Sequence, residues 1–204
     1  MVEGITTGPV LIGLGHRRRV GKDTFGRFLR DYLRALMPKS DVRMAAFADK
    51  LKAICHELYG WAGIKGRQWY EDHPEEREVV LPAIGMSPRE LWIKFGTNAV
   101  RQNVYQDTWV DALLRGAACD VLIVTDVRFP GEAKKIVESG GFLVRLDNPS
   151  IPKYSDIADG SMDAWEQWDQ VIVNSGTVDD LRAQAFRYAE HLLPLIHGIR
   201  FSER

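Results

Sequence analysis

The sequence has little of what marks disulfide-rich, metal-binding or nucleic-acid-binding proteins. Its 204 residues include two cysteines, Cys55 and Cys119, which are too far apart to form a metal-ligand or redox motif. We expect both to be core residues of a protein from a reducing compartment. The net charge of -1 at pH 7 gives no general attraction to nucleic acid or to an anionic membrane.

Long apolar runs and targeting signals are also missing. No apolar stretch approaches the length of about 18 residues that a membrane helix needs. The N-terminal segment MVEGITTGP lacks the basic and apolar regions of a signal peptide, so we expect a cytoplasmic protein. Repeats and low-complexity tracts are absent, and a chain of this length suits one α/β domain.

The stretch from Val10 to Thr24, VLIGLGHRRRVGKDT, predicts a phosphate-binding loop. Residues 10–13 predict a short buried strand, and GKDT opens an amphipathic helix over about 23–36. Backbone N–H groups of such a loop and the positive end of the helix dipole converge on one point, which suits a polyphosphate. We expect Lys22 to reach the β- and γ-phosphates, and Thr24 or Asp23 to face Mg²⁺.

The loop departs from the pattern GxxxxGK[ST] at two positions. His16 stands where the first glycine is expected, one residue after Gly15, and Asp23 replaces serine or threonine after the lysine. We expect His16 to fill a loop position rather than to catalyse. A basic block inside the loop would add side-chain contacts to the phosphates, with a solvated turn or a nucleic-acid contact as alternatives; it consists of Arg17, Arg18 and Arg19.

Strand and helix patterns alternate along the remaining chain. Strands are predicted at 42–48, 120–125, 142–146 and 170–173, and helices at 49–61, 87–103, 108–114, 131–140 and about 178–193. Residues 60–82 predict a mobile, solvent-facing excursion, and residues 147–169 an irregular polar segment. The alternation indicates a parallel sheet covered by helices on both faces.

Polar residues follow the predicted strands at their carboxyl ends, where ligands bind in doubly wound sheets. Asp126 and Arg128 follow the third strand, and the segment Asn174 to Thr177 follows the fifth. Asp126 would suit Mg²⁺ and Arg128 a transferring phosphoryl group, with a helix cap and a surface ion pair as the alternatives. Asp49 and Lys52, after the second strand, would face a second substrate or merely cap and solvate the next helix.

The region between the second and third strands offers a site for a phosphorylated acceptor. Arg89 and Arg101 lie close to one side of a predicted helix, and with Trp109 they would hold a monophosphate and stack a base. Salt bridges and core packing are the alternatives. Gly96 inside this helix costs about 1 kcal/mol relative to alanine, so it marks a kink or a close approach by a ligand.

Taken together, these stretches resemble the bacteriophage-type deoxynucleoside monophosphate kinases of the P-loop kinase superfamily. The matching segments are LIGL…GKDT at 11–24, FADKLK at 47–52, PRELWIKFGTNAVRQN…DTWVDAL at 88–113, VTDVRFPGEA at 124–133 followed by ESGGFLVRL, and VIVNSGTVDDL at 171–181. The resemblance implies an α/β fold with a five-stranded parallel sheet of order 2-3-1-4-5. It implies one domain, 1–204, with a core (about 8–48, 119–149 and 169–204), a helical acceptor-binding region (about 49–118) and a lid (about 150–168).

The resemblance further implies transfer of the γ-phosphoryl group of ATP, with Mg²⁺, to a deoxynucleoside 5′-monophosphate (dNMP). Residues and resemblance together predict the following site. The catalytic residues are Lys22, Arg128 and Asp126, and the metal ligands are Asp23, Thr24 and Asp126. ATP contacts Gly15, His16, Arg17, Arg18, Arg19, Val20, Gly21, Lys22, Asp23, Thr24, Asn174, Gly176 and Thr177. The dNMP contacts Asp49, Lys52, Arg89, Gly96, Arg101 and Trp109.

Two other functions stay open. One is a kinase of another small phosphorylated acceptor such as phosphomevalonate, whose animal-type enzymes resemble this family; Trp92 and Trp109 favour an acceptor that carries a base. The other is a module that binds ATP without transferring phosphate. The expected partners are small-molecule nucleotides and a second copy in a homodimer, with neither membrane nor nucleic acid. The expected location is the cytoplasm, that of the host if the chain comes from a phage.

Overall fold

The computed structural model describes residues 8–152 and 160–201. The chain divides into two compact units. The sheet unit comprises Met1–Ala46 and Ala117–Arg204, and the helical unit comprises Phe47–Gly116. The organisation into one domain with an acceptor-binding region and a lid stays a prediction, and residues 153–159 of the expected lid lie outside the described residues.

Five strands form the sheet: β1 (Val10–Gly15), β2 (Val42–Ala45), β3 (Val121–Val127), β4 (Phe142–Asp147) and β5 (Gln170–Val173). All neighbouring strands are parallel, in the order β2-β3-β1-β4-β5. The order that the resemblance implied is therefore confirmed. The central strands β1 and β3 are almost wholly apolar because a parallel sheet is covered on both faces.

The helices, in chain order, are α1 (Lys22–Leu36), α2 (Ala48–Tyr59), α3 (Arg67–Asp72), α4 (Pro88–Trp92), α5 (Thr108–Gly116), α6 (Pro130–Glu138) and α7 (Val178–Phe201). Two 3₁₀ segments, Gly60–Ala62 and Pro74–Glu78, and one π-helix, Ile93–Arg101, lie between them. α1, α6 and α7 belong to the sheet unit, and the remaining helices belong to the helical unit.

Helices cover both faces of the sheet. Since successive side chains of a strand point to opposite faces, Ile12 and Leu14 of β1 lie on one side, in a buried core with α1 and α7. On the other side, a Cβ added at Gly13 would come within 2.7 Å of Ile136 Cδ1 in α6. The glycine thus lets α6 pack closely on the central strand.

The closing helix α7 is longer than the sequence suggested. It continues through Pro194, which removes one backbone donor, to Phe201. Ile196 beyond the proline is buried in the core of the sheet unit, and this burial keeps the last turns helical. No helix among the described residues is long and apolar enough to cross a membrane.

The stretch 60–82, expected to be a mobile, solvent-facing excursion, contains helical turns and buried residues, so the prediction that it faces solvent was wrong for part of it. Ala62, Ile64 and Tyr70 are buried. The Tyr70 hydroxyl accepts a hydrogen bond from the backbone N–H of Lys65 at 3.1 Å, and burial raises the pKa of Tyr70. The spaced glycines and acidic residues of this stretch concealed its apolar contacts.

The helix predicted over 87–103 starts as expected and then changes form. Ser87 and Glu90 make the predicted capping box: Glu90 N donates to Ser87 Oγ at 3.3 Å, and Ser87 N donates to Glu90 Oε2 at 2.8 Å. Hydrogen bonds from the backbone and hydroxyl of Ser87 lower the pKa of Glu90. α4 ends at Trp92, and the π-helix follows, a rare form that is frequent at functional sites.

Both cysteines are free of disulfides. Cys55 is buried as predicted, and burial raises the pKa of its thiol to about 11. Cys119 is only half-buried, at the approach to β3, because the strand starts at Val121. The prediction that it lies in the core was wrong.

Candidate functional site

The loop between β1 and α1 has an unusual backbone. Gly21, the residue before α1, has a left-handed conformation with φ 102°, which suits glycine. His16 and Arg19 also have positive φ, 86° and 62°, which is uncommon for residues with a side chain. Such backbone strain persists where surrounding contacts fix it, and it clusters at ligand-binding sites.

Lys22, the first residue of α1, turns back into this loop. Its side chain is buried, and its ammonium donates to the carbonyl oxygens of Arg17 and, at 3.5 Å, of His16. A buried ammonium needs oxygen partners. Phosphate oxygens can take the place of the carbonyl oxygens, and they form the stronger, charge-assisted hydrogen bond.

The loop after β5 contacts the phosphate loop directly. Asn174 Nδ2 donates to Val20 O at 3.0 Å, and Asn174 N donates to Asp147 O at 2.7 Å. A Cβ added at Gly21 would come within 2.6 Å of Asn174 Nδ2. Glycine is therefore required at position 21 both by its φ angle and by the space that Asn174 leaves.

The other two residues predicted in the loop after β5 shape the start of α7. Thr177 donates to Asp180 Oδ2 from its backbone N and from its hydroxyl, both at 2.7 Å. These hydrogen bonds, the backbone one first, lower the pKa of Asp180. A Cβ added at Gly176 would come within 2.5 Å of Asp180 Oδ2, so this glycine leaves room for the carboxylate.

Register places the end of β3 beside the phosphate loop. Gly15, the last residue of β1, pairs with Val127 of β3 and with Arg145 of β4. Asp126 lies within β3, whereas Phe129 is the residue before α6. The alternative that Asp126 caps the following helix is therefore excluded. Asp126 and Arg128 flank the residue that adjoins the start of the loop, which fits their predicted roles.

Glu132, which the sequence reasoning missed, fixes the backbone at Arg128. The Glu132 side chain is buried, and its Oε2 accepts from Arg128 N at 2.8 Å and from Phe129 N at 3.1 Å. Within the described part of the chain, the half-buried guanidinium of Arg128 makes no hydrogen bond or ion pair. The proline at the start of α6, with glutamate two residues later, was a recognisable helix-start signal.

The residues predicted to hold Mg²⁺ fit an ion bound together with nucleotide. Asp23 is exposed, Thr24 and Asp126 are half-buried, and Thr24 Oγ1 lies 3.4 Å from Nη2 of Arg27. No group of three or more His, Cys, Asp or Glu suited to a metal occurs among the described residues. Mg²⁺ in kinases takes one or two protein oxygens plus phosphate and water oxygens, so a hydroxyl and carboxylates meet its needs.

In the helical unit, Asp49 does not cap α2. The second strand ends at Ala45, earlier than predicted, so α2 begins at Ala48 and Asp49 lies within its first turn. The Asp49 carboxylate accepts from Arg67 Nη1 at 2.5 Å. Lys52 Nζ lies 5.4 Å from the centre of the Trp92 ring, a cation–π geometry.

The remaining predicted acceptor residues are distributed over α4, the π-helix and α5. Arg89 forms an ion pair with Glu78. Arg101 is half-buried at the end of the π-helix, so the two arginines do not share one regular α-helix, and the spacing argument that paired them was wrong. Trp109 is buried, and its Nε1 donates to Gly96 O at 3.0 Å. This favours core packing for Trp109, and base stacking stays a prediction.

Gly96 itself is approached by a helix, because a Cβ there would come within 2.3 Å of Leu51 Cδ2. Of the two possibilities raised by its position, a kink or a close approach, the structure shows an altered helix form and a close approach by Leu51 of α2. Contact of Gly96 with an acceptor stays a prediction.

A second group that the sequence reasoning missed surrounds His16. The His16 side chain is 4% exposed; its Nδ1 lies 2.5 Å from Asp147 Oδ1, and its Nε2 lies 3.1 Å from Asp163 Oδ1. Arg17 Nη2 lies 2.5 Å from Asp163 Oδ2, and Arg145 Nε donates to Asp147 Oδ2 at 2.8 Å. Asp147 is the last residue of a strand, a position that can indicate a site residue from the sequence alone. Asp163 lies in a polar segment in which no sequence pattern marks it.

Comparison of sequences identifies a viral relative. The chain is 29% identical over 192 residues to a protein of Acanthamoeba polyphaga mimivirus named "Putative deoxynucleotide monophosphate kinase", and the match covers 86% of this chain and 93% of that protein. No protein-family model matches the chain.

Solved structures are less similar. Shikimate kinase from Aquifex aeolicus has 16% identity and a TM-score of 0.43, covering 89% of this chain and 97% of that chain. Shikimate kinase from Acinetobacter baumannii, in complex with shikimate, has 14% identity and a TM-score of 0.42, covering 97% of each chain. At these values the likeness carries no inference about substrate or mechanism. The sequence match is the stronger finding, and the resemblance of this chain to the deoxynucleoside monophosphate kinases, predicted from its motifs, is confirmed.

Proposed function

We propose that this protein is a deoxynucleoside monophosphate kinase, which transfers the γ-phosphoryl group of ATP to a dNMP and yields the diphosphate and ADP. The observation that carries the proposal is the loop between β1 and α1, where buried Lys22 follows left-handed Gly21. The viral relative supports an ATP-dependent phosphotransferase that acts on nucleotides or other small molecules. That the acceptor is a dNMP, rather than another nucleotide or small molecule, is the more specific part of the proposal.

Catalysis by this site would rest on positioning and charge neutralisation. The N–H groups at the start of α1 and the ammonium of Lys22 would hold the β- and γ-phosphates of ATP. Asp23, Thr24 and Asp126 would hold Mg²⁺, which would supply positive charge against the phosphates. Glu132 fixes the backbone of Arg128, and the guanidinium of Arg128 would neutralise the charge on the phosphoryl group during its transfer.

The acceptor brings its own nucleophile. A phosphate oxygen of a dNMP is already ionised at neutral pH, so no side chain has to remove a proton before attack. Asn174, Gly176 and Thr177 would line the adenine of ATP. Asp49, Lys52, Arg89, Gly96, Arg101 and Trp109 are the residues of the helical unit that we propose for acceptor binding.

The test is ADP formation from ATP and Mg²⁺ with each of the four common dNMPs, the matching ribonucleotides and phosphomevalonate. Lys22→Ala is the inactivating variant, and Lys39→Ala, which removes an exposed lysine in the turn after α1, is its matched control. We expect turnover with at least one dNMP, a loss of about 100-fold or more in Lys22→Ala, and natural activity in Lys39→Ala.

Two outcomes would replace the proposal. Turnover with phosphomevalonate alone would identify a kinase of another phosphorylated acceptor. Binding of ATP without ADP formation from any acceptor would identify a nucleotide-binding module. The cytoplasmic location, the homodimer and the absence of nucleic-acid binding stay predictions.

A further inference from the structure

We propose that His16 is a positioning residue of the phosphate loop: clamped between Asp147 and Asp163, it fixes the loop backbone that holds Lys22 and fastens this loop to the chain before β5. The proposal rests on the proposed function in one respect, namely that the loop binds the phosphates of ATP.

The backbone of His16 is constrained. His16 has φ 86°, a conformation that glycine adopts readily and that a histidine adopts only under constraint. A residue that merely filled this position would relax to negative φ, or glycine would be the better choice. The contacts of the buried imidazole ring supply the constraint.

The imidazole ring of His16 lies between two acidic side chains. Both nitrogens face carboxylate oxygens, Asp147 on the Nδ1 side and Asp163 on the Nε2 side. A neutral imidazole has one N–H, and only the imidazolium donates from both nitrogens. The Nδ1 contact with Asp147 Oδ1 has the distance of an ion pair but not the alignment of a hydrogen bond.

Two arginines adjoin the clamp. Each carboxylate is shared with an arginine: Asp147 with Arg145 of β4, and Asp163 with Arg17 of the loop. The imidazole and the two arginines thus surround the two carboxylates beside the phosphate loop. Removing His16 uncovers these carboxylates, and uncovered carboxylates disfavour an incoming polyphosphate.

The clamp is connected to Lys22 through the backbone of the loop. The carbonyl oxygens of His16 and Arg17 are the acceptors of the Lys22 ammonium, and the side chains of these two residues are the ones bound to Asp163. Anchoring these side chains therefore fixes the carbonyl groups that orient the lysine. The effect on ATP passes through Lys22, so His16 is a positioning residue and needs no contact with the reacting atoms.

The segment before β5 meets the loop at a second point. A Cβ added at Gly15 would come within 2.7 Å of Trp168 Cη2, so the indole ring lies directly on the start of the loop. Trp168 Nε1 donates to Trp165 O at 2.8 Å, which fixes the ring. Asp163 and Trp168 together attach the segment to both sides of the junction between β1 and the loop.

The experiment compares His16→Gly, Asp147→Asn, Asp163→Asn and the double variant His16→Gly/Asp147→Asn with the natural chain. Glycine is the informative replacement because it suits a positive φ, so a loss cannot be ascribed to backbone strain. The control is His191→Ala, which removes an exposed histidine of α7. The measurements are the Kd for Mg·ATP by calorimetry, the KM for ATP and for the dNMP, kcat, and the Tm.

We expect His16→Gly to raise the Kd and the KM for ATP by about 10-fold or more, with the KM for the acceptor changed less than about 2-fold. Each asparagine variant raises the same two constants by a smaller factor. The double variant is no worse than His16→Gly alone, because the two residues act as one unit. The control keeps all constants of the natural chain.

A Kd for ATP in His16→Gly that equals or is lower than that of the natural chain would overturn the proposal, because His16 would then only occupy a strained position in the loop. A lower Tm with equal changes in both KM values would overturn it as well, since that is a purely structural role. If the natural chain binds ATP but transfers nothing to a dNMP, the proposed function fails while the Kd comparison still decides the role of His16. Absence of ATP binding in the natural chain would overturn both.

Discussion

Gly21→Ala tests whether the backbone of the phosphate loop determines nucleotide binding. Gly21 combines φ 102° with a position at which a Cβ would lie 2.6 Å from Asn174 Nδ2. The methyl group therefore introduces two separate costs, one in the backbone and one in the contact between the two loops.

Both costs can be assigned an order of magnitude. An alanine in a left-handed conformation costs about 1–2 kcal/mol. Moving the Asn174 amide away breaks its hydrogen bond of 3.0 Å to Val20 O, worth about 1 kcal/mol. The sum, about 2–3 kcal/mol, lowers the Tm by about 5–10 °C if the loop keeps its shape. If the loop relaxes instead, the same free energy appears as ATP binding weakened up to about 100-fold.

The assay pairs thermal unfolding with calorimetric titration of Mg·ATP. The double variant Gly21→Ala/Asn174→Ala separates the two costs, because removing the amide relieves the contact but not the φ angle. Relative to Asn174→Ala, the double variant is expected to lose only the backbone portion. Gly131→Ala is the matched control, since a Cβ there meets nothing within 4 Å. Natural stability and natural ATP affinity in Gly21→Ala would refute the reasoning.

Three further variants probe other parts of the chain. Gly96→Ala is expected to lower the free energy of unfolding by about 1–3 kcal/mol, measured by denaturant titration, because its Cβ would overlap Leu51 of α2. Glu132→Ala leaves two N–H groups at the start of α6 without their buried acceptor, and we expect about 2–3 kcal/mol of destabilisation together with a fall in kcat. Asp180→Asn removes a carboxylate whose pKa is lowered, first by the backbone N–H and then by the hydroxyl of Thr177. The stability from this carboxylate is fully present above the unfolded value of about 3.8 and is lost as the pH falls through the lower folded pKa, so the natural chain and Asp180→Asn differ in Tm near neutral pH and converge in acid.

Each of these expectations has a result that contradicts it. Replacing Leu51 by alanine together with Gly96→Ala is expected to recover part of the loss, and no recovery would show that overlap is not the cause. An unchanged kcat in Glu132→Ala would disconnect the buried carboxylate from Arg128. A constant difference in Tm between Asp180→Asn and the natural chain from neutral to acid pH would show that the carboxylate does not act through its charge.

The sheet and the phosphate loop were predictable because their signals are local. Apolar β-branched runs, a Gly-Lys at a helix start, and the capping box of Ser87 and Glu90 each act within a few residues. The order of the strands was supplied by the family resemblance, since periodicity alone does not say which strands are neighbours. Glu132 was within reach of the same local rules, yet its function depends on burial, which no local pattern reveals.

The clamp around His16 could not be predicted because its members are distant in sequence. Asp147 and Asp163 meet the loop only after the sheet has formed, and Asp163 lies in a segment with no periodicity. The π-helix was not predicted for a different reason. The apolar residues around Gly96 have the spacing of a regular helix, and the close approach of Leu51 is a tertiary contact that this spacing does not reveal. The positive φ of His16 likewise follows from tertiary contacts rather than from residue preference.

The central place of β1 in the sheet has a consequence for the order in which the chain acquires its shape. β1 leaves the ribosome before both of its neighbours, since its partner Val121 in β3 follows Val10 by roughly 110 residues and β4 comes later still. Contacts of such long range form slowly because the intervening chain must first be closed into a loop. The phosphate loop is thus synthesised before its neighbouring strands and structured after them, so nascent chains that end before β4 would carry the complete motif and bind no nucleotide.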